Sequence, residues 1–265
     1  MRIARFVSGG QVFHGRMVDS TTAALIEGDL FDSPLFTATT LPIDKLLAPI
    51  VPTDILCIGL NYREHARESG APMPVNPVLF IKASNTLNNP FDPIPIPRRS
   101  REIDYECELA VVIGKTARHV PRHSALEHVF GYTCANDVSS RDWQRNRDLG
   151  GGQWARGKSF DGFCPLGPWI VTKDEIPDPN SLRIRTVLNG QVMQDHTTAD
   201  MIFDVPALIE SLSSTMTLRP GTVILTGTPQ GVGFARTPPV WLKAGDHVAV
   251  EIEKIGRLEN RVADE

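Results

Sequence analysis

Glu106 and Glu108 sit two apart in Ile103-Asp104-Tyr105-Glu106-Cys107-Glu108-Leu109-Ala110-Val111-Val112-Ile113-Gly114. The stretch is β-rich and stops at a glycine, so it reads as a strand, and side chains two apart on a strand share a face. Two carboxylates side by side repel unless a cation or a shared proton separates them. The apolar run that follows makes an unpaired charge there costly. A hard divalent ion such as Mg²⁺, which takes carboxylate and water oxygens, resolves the conflict. Asp137 closes a second short β-rich run, residues 132–135, and is the candidate third ligand. The same Glu-x-Glu spacing also describes the solvated face of an exposed strand, and Asp104 fits either case.

Other segments carry chemistry of a different kind. His65 and Glu68 lie three apart in a short polar helix that follows a buried strand, residues 55–58, and stops at Gly70. A carboxylate beside an imidazole orients it and raises its basicity, as a general base requires; the pair equally suits a surface helix. Gly59, Pro72 and Pro74 flank this helix, which suits a mobile lid. Arg141 and Gln144 share a face after Ser140, a candidate cap, and offer a guanidinium fork and an amide to a substrate carboxylate, or an ordinary solvated face. Lys158 stands between Gly157 and Ser159 with Phe160 and Phe163 close by, so it is either a desolvated amine or a surface lysine. A buried strand, residues 222–226, runs into Gly227-Thr228-Pro229-Gln230-Gly231-Val232-Gly233. That loop lacks the Gly-Lys-Ser/Thr ending of a nucleotide phosphate loop, but its glycines admit close backbone approach to a ligand.

These residues need a scaffold, and the pattern supplies one. Residues 1–50 read as a small N-terminal β subdomain: strands near 2–7, 11–18 and 22–26, then a helical turn at 44–47 before Pro49 and Pro52. The remainder, 51–265, reads as the catalytic domain. Four prolines between 90 and 97 exclude a regular central strand. Ser124 and Glu127 form a capping box that opens a helix. Asn189-Gly190 predicts a hairpin, and Asp204 caps a helix over 206–212. Gly150-Gly151-Gly152 reads as a flexible link.

Composition narrows the partners. The chain has 265 residues and net charge −4, which argues against a nucleic-acid surface, and Arg98, Arg99 and Arg101 cluster beside a Pro-rich loop. No apolar run is long enough to span a membrane and no secretory leader is visible, so a cytoplasmic protein is expected. Cys57, Cys107, Cys134 and Cys164 lack metal-binding spacing and read as reduced core thiols. His14, His119, His123 and His128 read as surface residues.

Taken in order, Gly59-Leu60-Asn61-Tyr62 with His65 and Glu68, Asp104-Tyr105-Glu106-Cys107-Glu108-Leu109, Asn136-Asp137 with Arg141, Asp142 and Gln144, Lys158-Ser159-Phe160-Asp161, and the 227–233 loop resemble the fumarylacetoacetate hydrolase family over roughly residues 54–253. The resemblance implies an α+β, mostly β fold: a mixed β-sheet roll of the fumarylacetoacetase C-terminal type with a small N-terminal subdomain, usually a homodimer. It implies Mg²⁺ or Mn²⁺ on Glu106, Glu108 and Asp137. It places Lys158 and Thr228 beside the bound substrate, His65 and Glu68 as the base pair on a lid, and Arg141 and Gln144 against a small 2-oxo carboxylic acid. The His-x-x-Glu pair favours hydrolysis of a C–C bond in a 2,4-dioxo acid of the acylpyruvate type. Isomerisation or decarboxylation of 2-oxo diacids, in aromatic or carbon catabolism, is the alternative. A non-catalytic 2-oxo acid binding module is the reading from another class.

Overall fold

Alternating residues build the first strands of the protein, whose computed structural model describes residues 1–149 and 151–265. β1 (Arg2–Ser8) and β2 (Gln11–Met17) form a hairpin over Gly9 and Gly10, and β3 (Thr22–Glu27) and β4 (Leu35–Pro42) extend it. The expected helical turn at 44–47 is instead a strand, β5 (Lys45–Leu47), paired with β1. A turn cut short by Pro49 cannot repay helix nucleation, whereas β1 offers ready-made backbone partners.

The chain continues through β6 (Ile55–Gly59), α1 (Arg63–Ser69), β7 (Val78–Ile81), β8 (Leu87–Asn88), β9 (Ile94–Ile96), β10 (Ile103–Asp104), β11 (Cys107–Ile113), β12 (Val129–Asn136) and β13 (Ser139–Ser140). It then forms α2 (Arg141–Arg145), α3 (Trp154–Lys158), β14 (Cys164–Thr172), β15 (Arg183–Leu188), β16 (Gln191–Thr197), α4 (Val205–Thr215), β17 (Val223–Leu225), β18 (His247–Ile252) and β19 (Gly256–Asp264). One mixed sheet runs β4-β3-β2-β1-β14-β12-β11-β17-β6-β7, with β5 beside β1 and β8 beside β14. A second runs β16-β15-β18-β19-β9, and β10 pairs with β13 alone. The N-terminal strands therefore belong to the main sheet, joined where Arg2 and Ile3 pair with Val171 and Ile170.

Strand β11 lies at the centre and is buried on both faces. Leu109, Val111 and Ile113 point into a core shared with Leu208 and Leu212 of α4 and with Val250 and Ile252 of the second sheet. Ala110 and Val112 point the other way, against Ile3, Leu166 and Leu225. An unbroken apolar run in a strand covered on both faces is the pattern such burial requires.

Several expectations of local structure hold and others fail for identifiable reasons. Asn189 and Gly190 both take positive φ, 51° and 82°, and close the β15–β16 hairpin. Asp204 accepts from the Ala207 amide at 2.9 Å and caps α4. Ser124 caps nothing: residues 122–128 form a 3₁₀ segment that starts after Pro121, and the Ser124 hydroxyl donates back to the Pro121 carbonyl. Nor does Ser140 cap α2 through its side chain; its hydroxyl bonds to Asp142. The Pro-rich stretch supplies β9, an edge strand, where the missing amide of Pro95 is tolerated. Of the glycine link, Gly150 lies outside the described residues; Gly151 and Gly152 donate to the Asn146 and Gln144 carbonyls. All four cysteines are buried and free. Among the described residues no helix is long and apolar enough to cross a membrane.

Candidate active site

The single strand expected over 103–113 is interrupted: Glu106 lies in the break between β10 and β11, Glu108 is the second residue of β11, and neighbouring β12 ends at Asn136, one residue before Asp137. Cross-strand bonds lock the two ends together. The Asp137 amide donates to the Glu106 carbonyl at 2.9 Å, and the Glu106 amide to Asn136 Oδ1 at 3.0 Å. The result is a buried triad: carboxylate oxygens of Glu106, Glu108 and Asp137 lie within 4.8 Å of one another.

Three cations surround the acids. Lys158, from the end of α3, donates to Glu106 Oε2 at 2.7 Å and to Asp137 Oδ2 at 2.6 Å. Lys82, just beyond β7, donates to Asp137 Oδ1 at 2.5 Å and to the Val138 carbonyl at 3.0 Å. Arg141, opening α2, spends Nε on Asp104 at 2.9 Å, Nη1 on Gln144 Oε1 at 2.9 Å and Nη2 on Glu106. Asp104 is fully buried and also accepts from the Gly233 and Phe234 amides, at 2.7 and 3.1 Å.

With Asp104 included, four carboxylates face three cations, and the unmatched charge falls on Glu108, which among the described residues bonds only to the Gly227 amide, at 2.6 Å. Gly227 has φ +94°, and a Cβ there would sit 2.7 Å from that of Asn61, so only glycine allows this approach. Burial, then the charges of Asp137 and Glu106, push the Glu108 carboxyl well above the ordinary carboxylate range. Burial also opposes ionisation of Glu106, but Lys158 and Arg141 outweigh it and hold that carboxyl well below the ordinary range. Burial likewise disfavours the charged Lys158, and Asp137 and Glu106 overcome it, raising the amine. Oxygen donors only, three of them anionic, and one uncompensated charge: this donor set fits a hard divalent cation, and Glu106, Glu108 and Asp137 are the residues that would hold it.

A cavity of about 240 Å³ opens over the triad, lined by His65, Glu106, Glu108, Arg141, Gln144, Lys158 and Thr228 among others. Asp137 lies beneath the lining, and Glu68 stands behind His65, whose Nδ1 is 3.1 Å from Glu68 Oε2. All nine residues singled out from the sequence thus converge on one pocket. Glu68 Oε1 also accepts from the Gly231 amide at 2.8 Å, and Arg63 donates to the Asp200 and Met201 carbonyls. The helix read as a mobile lid is therefore tied at both ends, and His65 is buried. Arg141, read as either a fork for a substrate carboxylate or part of a solvated helix face, is buried and bonded to Asp104, Glu106 and Gln144.

Sequence reasoning missed Lys82, Gln194, Phe234 and Trp154. Gln194 donates from Nε2 to Thr228 Oγ1 at 2.8 Å and accepts from the Cys107 amide at 3.0 Å, linking the glycine loop to β11. Phe234 meets His65 edge-on and lies under Arg141. Trp154 packs so closely on Gly59 that a Cβ there would collide with its ring. Lys82 had one visible signal: a lysine ending the apolar run 78–81.

A buried acid triad, an anchored His–Glu pair and a desolvated lysine surround one small cavity on a mixed β roll. Residues 54–263 match the family model described as fumarylacetoacetate (FAA) hydrolase C-terminal, and residues 1–49 match one described as Rv2993c-like, N-terminal. The chain belongs to the fumarylacetoacetate hydrolase family. It is 51% identical over 219 residues to the mitochondrial oxaloacetate tautomerase fahd2 of Xenopus laevis, across 82% of this chain and 68% of that protein. Among solved structures it is similar to 2-hydroxyhepta-2,4-diene-1,7-dioate isomerase from Mycobacterium marinum, at 40% identity and TM-score 0.87, across 100% of this chain and 99% of that one. It is similar too to 5-carboxymethyl-2-hydroxymuconate delta-isomerase from Mycobacterium smegmatis, at 40% identity and TM-score 0.88 over the whole of both chains.

Proposed function

We propose that the chain is an isomerase of small 2-oxo dicarboxylic acids, moving a proton by keto–enol exchange or double-bond migration, with oxaloacetate as the first substrate to test. One observation carries the reading. Glu106 and Glu108 belong to the acid triad, and Lys158 and Arg141 to ion pairs with it, whereas His65 pairs with Glu68 through Nδ1 and its Nε2 makes no hydrogen bond among the described residues, which leaves it as the acid–base atom of the lining. A single base that takes a proton from the carbon beside a 2-oxo group and returns it elsewhere is what isomerisation requires. The tautomerase and isomerases named above support this over hydrolysis, which the His-x-x-Glu spacing favours when read alone. Hydrolysis needs a positioned water and a second proton donor besides.

The roles follow from the bonds already made. Glu68 accepts from His65 Nδ1, so the Nε2 lone pair is the basic one, and Glu68 stabilises the imidazolium that forms. The proton passes from the substrate carbon to Nε2 and from Nε2 to the enolate oxygen, or to a farther carbon of a conjugated chain; none is gained or lost. Lys158 sets a positive charge beside the oxygen on which negative charge develops. Gln144 has its Oε1 taken by Arg141, so its amide NH₂ is the end that meets a carboxylate. Thr228 Oγ1 accepts from Gln194, which leaves its hydroxyl proton to donate. A divalent cation held by Glu106, Glu108 and Asp137 would supply Lewis acidity toward the 2-oxo group.

Decay of enol-oxaloacetate absorbance with Mg²⁺ present, read alongside pyruvate release, tests the proposal. Accelerated enol–keto exchange without pyruvate is the expected result. His65→Ala should slow it by about 10²-fold or more while Mg²⁺ binding survives. Cleavage of acetylpyruvate with no effect on enol-oxaloacetate would overturn the proposal in favour of hydrolysis, and pyruvate released from oxaloacetate would favour decarboxylation.

A further inference from the structure

Arg145 closes α2, one residue after Gln144 and four after Arg141, and its guanidinium lies 3.7 Å over the centre of the Phe234 ring at the pocket lining. Phe234 is itself fixed: its amide donates to Asp104, Arg141 lies 4.7 Å from its ring centre, and His65 meets it edge-on. Arg145 is thus held beside the cavity without being neutralised. It makes no ion pair and no side-chain hydrogen bond among the described residues, in contrast to Arg141 and Lys158, which are ion-paired with Asp104, Glu106 and Asp137. Arg145 is itself exposed to solvent; partial desolvation and then the neighbouring Arg141 charge disfavour its cation, with Asp104 and Glu106 acting the other way. An arriving anion relieves that repulsion.

Away from the triad the lining is mainly apolar: Ile58, Leu60, Ala71, Phe80 and Trp154. Ser69, the hydroxyl there, is occupied with the His65 and Ala66 carbonyls. A ligand with one carboxylate seated near the triad therefore finds one uncommitted cation for a second. We infer that Arg145 is a specificity-determining residue, pairing with the distal carboxylate and so selecting 2-oxo diacids over 2-oxo monoacids. This deepens the isomerase proposal by naming the residue that reads the second carboxylate of its diacid substrates, and it rests on 2-oxo acids being the ligands of this pocket.

Binding tests it separately from turnover. Calorimetry of the full chain with Mg²⁺ compares 2-oxoglutarate with 2-oxopentanoate, the same chain without the second carboxylate. The wild type should prefer the diacid. Arg145→Gln should cut the diacid-to-monoacid affinity ratio by about 10-fold or more, as loss of a charge-assisted pair predicts, and Arg145→Lys should restore much of it. A structural role alone, a cation at the end of α2, would lower thermal stability and leave the ratio unchanged. An unchanged ratio in Arg145→Gln, or no wild-type preference for the diacid, overturns the inference. A wild type that prefers the diacid but fails to isomerise oxaloacetate would sink the reaction and leave Arg145 as assigned.

Discussion

Glu108 is the residue on which the site's electrostatics turn. Its neighbours Glu106 and Asp137 are each held by a lysine, whereas Glu108 has one backbone amide. A buried charge without a partner costs stability, and a cation bound to the folded state returns it. Glu108→Gln should therefore act with opposite signs in two conditions. Without divalent metal the variant should melt higher than the wild type, by about 2–4 °C for each 1 kcal/mol relieved. With Mg²⁺ added, the wild type should gain stability and the variant little. Thermal unfolding of both proteins with and without Mg²⁺ reads this directly, and equal Mg²⁺ shifts would remove Glu108 from the ligand set.

At the level of elements, short pieces hold the chemistry and long strands hold the short pieces. Helix α2 has only five residues and could not persist alone. Asp142 anchors its start, accepting from the hydroxyls of Ser100 and Ser140 and from the amides of Arg101 and Trp143. Partial burial opposes ionisation of Asp142, but these donors outweigh it and hold the carboxyl below its ordinary value. The sign follows from linkage: a carboxyl depressed in the folded state stabilises above its unfolded pKa of about 3.9, and that contribution fades as pH falls through the lower folded value. The urea midpoint should therefore drop below about pH 4 in the wild type. In Asp142→Asn it should be lower at pH 7 and the difference should shrink as pH falls. A constant difference across that range would remove Asp142 from the acid limb.

For the whole molecule, the large sheet ends at β7, an edge strand whose Val78, Leu79 and Ile81 are all exposed, continuing the exposed Met73 and Val75. An edge with unpaired backbone groups and apolar side chains invites a second strand. We propose that the homodimer expected of this family forms there, between two copies of the chain. Light scattering after size exclusion should give a dimer for the wild type and a monomer for Ile81→Lys; a monomeric wild type, or a dimeric variant, would rule out this edge.

The pattern of residues was enough for the strand that carries Glu108, though not for the break before it that holds Glu106, and for the Asn189-Gly190 hairpin and the Asp204 cap, because each depends on neighbours in the chain and on local backbone preference. It also marked the His65–Glu68 pair and the third acid, Asp137. Tertiary structure decided the rest, because the deciding partners are distant in sequence. Lys82 meets Asp137 across 55 residues, and Gly231 meets Glu68 across 163. Whether Glu-x-Glu is a solvated face or a buried metal site depends on what covers the strand. Arg141 became internal and Arg145 stayed available because only the packing of α2 against Asp104 and Phe234 distinguishes two arginines one helical turn apart.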